Sequence, residues 1–212
     1  MIKIKIFIFN PFLVNTVVLS DESGEGLIID ASCYTQKERD ELDQYIMQNH
    51  IKPVKLINTH CHVDHLLGCA YVAAKYHIGV ELHEGDLPVF KDAKQHGIVF
   101  GFDVDELPSV ERFLLEGQDV TFGHSSLQVF HVPGHSQGSV AFFNPVQKFV
   151  IVGDVLFKGT IGRTDLPGGN YDQLIKSITS KLMILPPDTE VIPGHGPSTT
   201  IGEESHSNPF LT

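Results

Sequence analysis

The sequence predicts an α+β protein in which two β-sheets pack face to face and helices cover their outer sides. Two observations support this prediction. Hydrophobic residues make up 42% of the 212-residue chain and charged residues 19%, a globular mixture with enough apolar material for a sizeable core. The apolar segments follow the order strands, helix, strands, helix, and this order recurs along the chain. Two packed sheets with helices outside bury the apolar faces of such a series, so we expect a single domain over residues 1–212.

The first third of the chain predicts strands followed by a helix. Residues 2–9 alternate in character, residues 15–19 are rich in β-branched side chains, and residues 26–30 form an apolar run. The turn signal Asp21-Glu22-Ser23-Gly24 predicts that the second and third of these strands pair in antiparallel fashion. Residues 36–49 fit an amphipathic helix.

The middle of the chain alternates strands and helices. Val54–Asn58 is a predicted strand, and Leu66–Tyr76 is a predicted helix with apolar residues almost all round, which indicates a buried position. Val80–His83 is a predicted short strand. Glycines and a proline interrupt residues 84–113, so we expect a helix and an irregular excursion that borders the functional site.

The last third predicts three more strands, a helix and a final strand. The helix spans residues 171–185, with Asn170 as its N-cap and Pro186-Pro187 at its end. The final strand is Glu190–Ile192. The three strands before the helix are Ser126–Val132, Val140–Phe143 and Phe149–Val152.

A dense group of potential metal ligands lies in the turn between the predicted strand Val54–Asn58 and the helix that follows. Within six residues this turn carries His60, His62, Asp64 and His65. Imidazole and carboxylate groups in a mostly buried turn are costly unless each has a partner. The cluster therefore predicts a bound metal ion.

Three further turns have the same form, with a ligand residue directly after an apolar strand. They carry His135, Asp154 and His195. Packed sheets can bring all four turns to one edge, where five imidazoles and two carboxylates would converge. Pro-Gly precedes both His135 and His195, and this pair allows the sharp backbone turn that aims an imidazole at a metal.

Seven ligands exceed the four that one tetrahedral zinc ion takes. They suit two metal ions about 3.5–4 Å apart with one carboxylate between them. Zinc, iron and manganese all accept mixed imidazole and carboxylate ligands, so the residues leave the metal open.

The other histidines and the cysteines have ordinary structural interpretations. His131 stands one strand step before the His135 turn and is expected behind the site or in the core. Cys61 should point away from its neighbours His60 and His62 in an extended segment and pack inside. Cys33 and Cys69 are expected to be core thiols rather than a disulfide. Solvated or capping histidines are expected at His50, His77, His83, His96, His124 and His206.

The charge pattern disfavours several classes of partner. The formal net charge of −11 repels phosphate backbones, so general binding of nucleic acid or anionic membranes is not expected. No apolar run reaches the roughly 18–20 residues of a membrane span. Lys3 and Lys5 alternate with Ile in a strand pattern rather than that of a signal peptide, so the expected location is the cytoplasm.

The ligand pattern resembles the metallo-β-lactamase superfamily. The motif His60-x-His62-x-Asp64-His65, followed by three single ligands, covers most of the chain. The resemblance implies a four-layer αββα sandwich with two packed mixed sheets. It implies one metal held by the first two histidines and His135. A second metal would be held by Asp64, His65 and His195, with Asp154 and a hydroxide bridging the two ions.

Within this superfamily the sequence looks most like the short glyoxalase II-like group. The run Gly153–Gly169 and the ending Asn208-Pro209-Phe210 carry this resemblance. True zinc β-lactamases commonly have Cys or Ser in the region of Asp154. Long glyoxalase II enzymes continue into a helical extension that grips glutathione, whereas this chain stops at Thr212.

The resemblance implies a dinuclear metallohydrolase of thioesters such as S-hydroxyacyl-glutathione, with the bridging hydroxide as nucleophile. Asp64 and Asp154 are the expected catalytic carboxylates. Lys158 and Arg163 are candidates to bind an anionic substrate, and the alternative for Arg163 is a structural ion pair with Asp165.

A second class with the same fold, the mononuclear iron persulfide dioxygenases, shares Gly162-Arg163-Thr164-Asp165. In that class the metal would be held by His60, His135 and Asp154. The expected cofactors are two divalent ions, zinc first, and the partner is a small anionic molecule. The residues leave the thiol carrier and the oligomeric state open.

Overall fold

Two six-stranded sheets lie face to face in the computed structural model, which describes residues 1–212. The strands of the first sheet are β1 Lys3–Phe9, β2 Val14–Ser20, β3 Glu25–Ile29, β4 Lys52–Ile57, β5 Val80–Leu82 and β6 Val110–Phe113. The strands of the second sheet are β7 Asp119–Phe122, β8 Ser125–His131, β9 Val140–Asn144, β10 Phe149–Gly153, β13 Glu190–Pro193 and β14 Thr199–Thr200. A short hairpin joins β11 Leu156–Phe157 to β12 Thr160–Ile161.

Six α-helices accompany these strands. They are α1 Gln36–Gln48, α2 Cys69–Tyr76, α3 Leu87–Lys91, α4 Ala93–Phe100, α5 Tyr171–Ser177 and α6 Ile201–Ser207. The longest, α1, has 13 residues, and none of the six combines the length and apolar character that a membrane span requires.

Both sheets are mixed. The first has the strand order β1-β2-β3-β4-β5-β6; β1 to β3 pair in antiparallel fashion, and β3 to β6 are parallel. The second has the order β14-β13-β10-β9-β8-β7, and only β10 and β13 pair in parallel. The predicted antiparallel pairing around residues 21–24 is confirmed by β2 and β3.

Alternation along the strands divides the core into layers. In β2, Val17 and Leu19 pack between the sheets, whereas Val18 packs on the outer face against α1 and α2. On the other side, Val150 and Leu174 belong to a cluster between the second sheet and α5. The order of layers is therefore helix, sheet, sheet, helix, which confirms the predicted αββα sandwich.

Two predictions for the helices need correction. The helix predicted at 66–76 begins at Cys69, after a 3-10 turn at Val63–His65. It is not buried all round: Val72 faces the core but Lys75 is exposed, because the helix lies on the outer face of a sheet. The helix predicted at 171–185 is α5 followed by a π-helical turn at Ile178–Leu182, and Asn170 is its N-cap as predicted.

Residues 84–113 contain more regular structure than the sequence suggests. A 3-10 turn at Glu84–Asp86 leads into α3 and α4, and β6 closes the segment as an edge strand. Gly101 adopts a φ of +77° directly after α4, so the glycine that interrupts the apolar pattern ends a helix there. Sequence patterns also missed the short strands β7, β11, β12 and β14 and the helix α6.

Candidate metal centre

The four ligand-bearing turns meet at one end of the sandwich. The first follows β4 and carries four of the seven candidate ligands, while His135, Asp154 and His195 follow β8, β10 and β13. The backbone ties the turns together: Gly194 N donates to Gly153 O at 2.8 Å. The structure thus brings together all seven side chains that the sequence predicted to converge.

One group of donor atoms consists of three imidazoles. Nδ1 of His62 lies 2.8 Å from Nε2 of His135, which is 3.3 Å from Nε2 of His60. A tetrahedral zinc ion with nitrogen ligands at about 2.1 Å separates them by about 3.4 Å. The spacing of these nitrogens is compatible with a shared metal ion.

A second group lies beside the first and contains a carboxylate. Nε2 of His65 and Nε2 of His195 are 3.3 Å apart, and Oδ2 of Asp64 is 3.3 Å from the His195 nitrogen and 3.8 Å from the His65 nitrogen. These three side chains could also hold a metal ion.

The carboxylate of Asp154 lies between the two groups. Its Oδ1 is 3.5 Å from His65 Nε2, and its Oδ2 is 3.4 Å from His195 Nε2 and 3.8 Å from His135 Nε2. Oδ1 is buried and has no hydrogen-bond partner. A buried acceptor without a partner is costly, and a cation at this position would satisfy it. The residues therefore fit a metal centre.

The electrostatics of the cluster also suit cations. Burial and the neighbouring imidazoles hold the pKa of His60 well below its ordinary value and lower that of His62 to about 3, so both rings are neutral, as metal ligands must be. Burial would raise the pKa of Asp154 and Asp64, but adjacent histidines outweigh it and keep both carboxylates ionised.

The remaining two imidazoles carry protons that a metal would displace. Burial disfavours the charged form of His65, yet the carboxylates of Asp64, Asp30 and Asp154 outweigh it and raise its pKa well above the ordinary value. Asp154 and Asp64 likewise outweigh burial at His195 and raise its pKa to about 9. Binding of a cation at this group would therefore release protons.

Hydrogen bonds behind the cluster orient the rings. Nδ1 of His135 donates to the carbonyl of Arg163, and Nδ1 of His195 donates to the carbonyl of Phe12, each at 2.8 Å. Nδ1 of His65 donates to Asp30 at 3.0 Å. Because Nδ1 carries the proton in each ring, Nε2 is left to face the cluster.

Asp30 is a site residue that sequence reasoning missed. It is buried at the end of β3, and its two oxygens accept the Thr59 N–H at 2.7 Å and the Thr59 hydroxyl at 2.6 Å. The sequence does carry a signal for it, because Asp30 follows an apolar strand at the same edge as the candidate ligands. It was overlooked because the residues after it lack the Gly-rich turn seen elsewhere.

Asp86 is a second missed residue, and it lies in the excursion after β5. Its fully buried carboxylate accepts the N–H of Cys61 at 2.8 Å, the N–H of Gly138 at 2.6 Å and the hydroxyl of Ser136 at 2.8 Å. One side chain thus joins the turn of His60 and His62 to that of His135. No local pattern in the sequence marks this role.

The glycines before the ligands allow close packing. A Cβ at Gly194 would lie 2.1 Å from Oδ1 of Asp154, so a larger residue would displace that carboxylate. Gly134 has a φ of +136°, a conformation that suits glycine, and a Cβ there would meet the backbone of Leu174 at 2.3 Å. The sequence predicted glycine at these positions for a sharp turn. The structure adds a second reason, since a side chain at either glycine would collide with neighbouring atoms.

A cavity of about 360 Å³ opens onto the cluster. Residues 84–113 border it, as predicted, through Val89, His96 and Phe100. His96, expected to be a solvated or capping histidine, is half-buried on α4 and lines the cavity. Its complete lining is Phe12, His62, Val63, Asp64, Val89, His96, Phe100, His135, Asp154, Arg163, Leu166, Pro167 and His195.

The two candidate substrate-binding cations occupy different places. Arg163 lines the cavity, and its Nε and Nη2 donate to Asp165 at 2.8 and 2.7 Å. Nη1 takes no part in that pair. Lys158 does not line the cavity; its Nζ lies 3.2 Å from Glu203 on the surface.

The remaining histidines and cysteines occupy structural positions. The rings of His83 and His131 stack with centroids 3.9 Å apart, and Nδ1 of His83 accepts the N–H of Gly85 at 3.1 Å, as expected of a capping residue. His131 donates to the carbonyl of Gln137 at 2.8 Å. All three cysteines are buried and free, in agreement with the prediction.

The fold and the ligand cluster define a metallo-β-lactamase-type protein. A sequence model of the Metallo-beta-lactamase superfamily matches residues 9–195, and the chain belongs to this superfamily.

Two curated relatives match most of their own length. The chain is 40% identical over 177 residues to the probable metallo-hydrolase YqgX of Bacillus subtilis, covering 82% of this chain and 83% of the relative. It is 36% identical over 218 residues to the hydroxyacylglutathione hydrolase GloC of Haemophilus influenzae, covering 99% and 98%.

Solved structures share the whole architecture. TTHA1623, solved in a di-iron-bound form, superposes with a TM-score of 0.88 at 36% identity and covers 98% of this chain and 100% of that protein. The BLEG-1 B3 metallo-beta-lactamase gives a TM-score of 0.87 at 32% identity, with coverage of 99% and 100%.

Proposed function

We propose that the protein is a dinuclear metal-dependent hydrolase of thioesters such as S-hydroxyacyl-glutathione. The observation that carries the proposal is the position of Asp154, whose two oxygens lie 3.4 to 3.8 Å from imidazole nitrogens of both donor groups. A carboxylate in this position suits a pair of metal ions. The name of the Haemophilus influenzae relative supports a hydroxyacyl thioester as the substrate.

His60, His62 and His135 would hold one ion, and Asp64, His65 and His195 the other, with Asp154 between them. Zinc fits the tetrahedral nitrogen spacing, whereas the di-iron form of TTHA1623 supports iron. When bound, such ions lower the pKa of a coordinated water to about 7 and polarise a carbonyl oxygen.

The side chains of the cavity determine the rest of the reaction. No Ser, Thr, Cys or Lys lines the cavity, and its two carboxylates, Asp64 and Asp154, are candidate metal ligands, so we assign the attack to water. Asp64 and Asp154, both ionised, are placed to accept a hydrogen bond from that water and to orient it. The leaving thiol has a pKa near 8.5, so its thiolate departs without a strong general acid.

Arg163 is the substrate-binding candidate that this geometry favours over Lys158. It lines the cavity, and Nη1 is free to donate to a carboxylate of the substrate while Asp165 fixes the rest of the guanidinium group. An anionic thiol such as glutathione provides such a carboxylate.

The second candidate is a mononuclear iron persulfide dioxygenase. One observation favours it: His60, His135 and Asp154 alone could form a three-residue site, with the His135 nitrogen 3.3 Å from that of His60 and 3.8 Å from Asp154 Oδ2. Asp64, His65 and His195 supply the second donor group that a dinuclear hydrolase would use. Both classes retain most of these residues, so metal content and activity separate them.

The decisive experiment measures metal content and activity on the same protein. We expect two metal ions per chain, release of free thiol from S-lactoylglutathione, and no oxygen uptake with glutathione persulfide. His195→Ala should lose about one metal equivalent, whereas the exposed control His206→Ala should keep both. One iron per chain with oxygen uptake and sulfite formation would replace the proposal by the dioxygenase.

A further inference from the structure

The cavity has an apolar side that the proposed metal chemistry does not use. Phe12, Val63, Val89 and Phe100 form this side, which we name the aromatic wall. The wall draws on three separate parts of the chain: the loop before β2, the 3-10 turn after β4, and the helices α3 and α4. It faces the same cavity as His62, Asp64, His135, Asp154 and His195.

The two phenylalanines are unusually exposed for their position. Phe12 is 42% exposed and Phe100 is 49% exposed, and their rings meet edge to face with centroids 5.7 Å apart. The buried ring of Phe102 packs behind Phe12 at 5.4 Å. Apolar surface that a folded protein leaves open in a concave site is characteristic of ligand binding.

Hydrogen bonds tie the backbone of Phe12, one residue of the wall, to the segments of two candidate ligands. The carbonyl of Phe12 accepts the Nδ1 proton of His195, and the N–H of Phe12 donates to Oδ1 of Asn10, both at 2.8 Å. Nδ2 of Asn10 in turn donates to the backbone carbonyl of Asp64 at 2.9 Å. These bonds hold the backbone of Phe12 beside two candidate ligands, and its ring packs against Phe100 and Phe102.

The occupant of this surface must be part of a small substrate. The wall and the donor groups share one cavity of about 360 Å³, which is the size of a small-molecule site. If the anionic thiol part of the substrate is bound by Arg163, the acyl part is the group left to lie against the wall.

We propose that the aromatic wall is a subsite for an apolar acyl group, so that the preferred thioesters carry an aromatic or branched aliphatic acyl chain instead of a small one. This inference rests on the proposed thioester hydrolysis. Gain or loss of one methylene in a hydrophobic pocket changes kcat/KM by about 10- to 200-fold.

The first test compares two thioesters of glutathione that differ only in a phenyl group in place of a methyl group. S-mandeloylglutathione should be hydrolysed with at least about tenfold higher kcat/KM than S-lactoylglutathione. Phe100→Ala and Phe12→Ala should reduce this ratio toward one. Val99→Ala, on the same helix but 74% exposed and outside the cavity, should keep it.

The second test does not depend on turnover. S-benzylglutathione and S-methylglutathione are thioethers that cannot be hydrolysed, and calorimetry should show about tenfold tighter binding of the benzyl compound, lost in Phe100→Ala. Equal affinities, including no detectable binding of either, would overturn the subsite. Absence of hydrolysis with a retained benzyl preference would instead refute the proposed function and leave the subsite standing.

Discussion

Asp30 accepts the Nδ1 proton of His65 at 3.0 Å, and both groups are completely enclosed beneath the candidate metal centre. The same carboxylate accepts two hydrogen bonds from Thr59, the residue before the first candidate ligand. One acidic side chain therefore sets the orientation of an imidazole and the shape of the turn that carries four candidate ligands. Removal of its charge should weaken metal binding as well as reduce the stability of the fold.

We expect Asp30→Asn to weaken metal binding by about 10- to 100-fold, because partners behind ligating histidines typically contribute this much. Competition with a chelator of known affinity measures the change. Asp40→Asn, an exposed substitution on α1, is the matched control and should leave the metal affinity as it is. An unchanged affinity in Asp30→Asn would contradict the orienting role.

The carboxylate of Asp86 is the second target. In Asp86→Asn, an amide N–H₂ would replace one of two oxygens that accept hydrogen bonds, leaving buried donors facing each other. The free energy of unfolding should fall by about 1–3 kcal/mol. Urea denaturation of the metal-free protein measures the loss, and the exposed neighbour Glu84→Gln should show none. Wild-type stability in Asp86→Asn would rule out the link between the two ligand turns.

Substitution of Arg163 tests substrate binding. Arg163→Ala should raise KM for an anionic thioester by about tenfold or more with a smaller change in kcat, because a charge-assisted hydrogen bond to the substrate is lost. Steady-state kinetics at several salt concentrations measures the effect. Arg112→Ala, on the exposed edge strand β6, is the control. An unchanged KM would leave Arg163 with only its structural pairing to Asp165.

Asp21 should make the stability depend on pH. Burial opposes its ionisation, but hydrogen bonds from Ser23, Ser125 and the His124 N–H outweigh burial and hold its pKa well below the ordinary value near 3.9. A carboxyl with a lowered folded-state pKa stabilises the fold above pH 4, and this contribution is lost as the pH falls toward the lowered pKa.

Asp21→Asn should therefore be less stable than the wild type at pH 7 by about 1–3 kcal/mol, and the difference should shrink between pH 4 and pH 2. Denaturant unfolding of the metal-free protein across this range measures it. Asp119→Asn, exposed at the start of β7, should give a small difference with no such trend. A gap that stays constant down to pH 2 would contradict the assignment.

The three thiols should be unreactive in the native protein. Burial raises the pKa of Cys33 to about 12 and raises those of Cys61 and Cys69 well above the ordinary value, so the reactive thiolate is scarce at pH 8. Ellman's reagent should label no cysteine in the native state and all three in denaturant. Rapid labelling of one thiol in the native protein would place it at an accessible position.

The sequence predicted which side chains converge better than it predicted the elements around them. Candidate ligands such as Asp154 and His195 follow apolar strands, and packed sheets bring strand ends to one edge, so local patterns were enough to predict that they lie together. The role of Asp86 could not be predicted from the sequence, because it depends on backbone N–H groups that only the tertiary structure places around it. The aromatic wall was not predicted for the same reason. Phe12 and Phe100 are 88 positions apart and come into contact only in the tertiary structure.

The regular elements show a similar division. Long strands with clear alternation, such as β1 and β8, were predicted nearly in full. The edge strand β6 is short and its residues are mostly exposed, so only its pairing with β5 identifies it as a strand. The helix α2 was expected to be buried because apolar residues lie almost all round it, but one side of it, with Ala74 and Lys75, is exposed to solvent.

Asn15 connects the two sheets by hydrogen bonds at the end of the sandwich that carries the candidate metal centre. Its N–H donates to Gly194 O at 2.7 Å, and its side-chain amide donates to the carbonyls of Pro193 and Gly196, both at 2.9 Å. Strand β2 of one sheet thus holds the His195 turn of the other. Separation of the sheets here would dismantle the second donor group, so metal occupancy and cohesion of the sheets are thermodynamically linked. The backbone N–H of Asn15 should consequently exchange with deuterium far more slowly in metal-loaded protein than in metal-free protein.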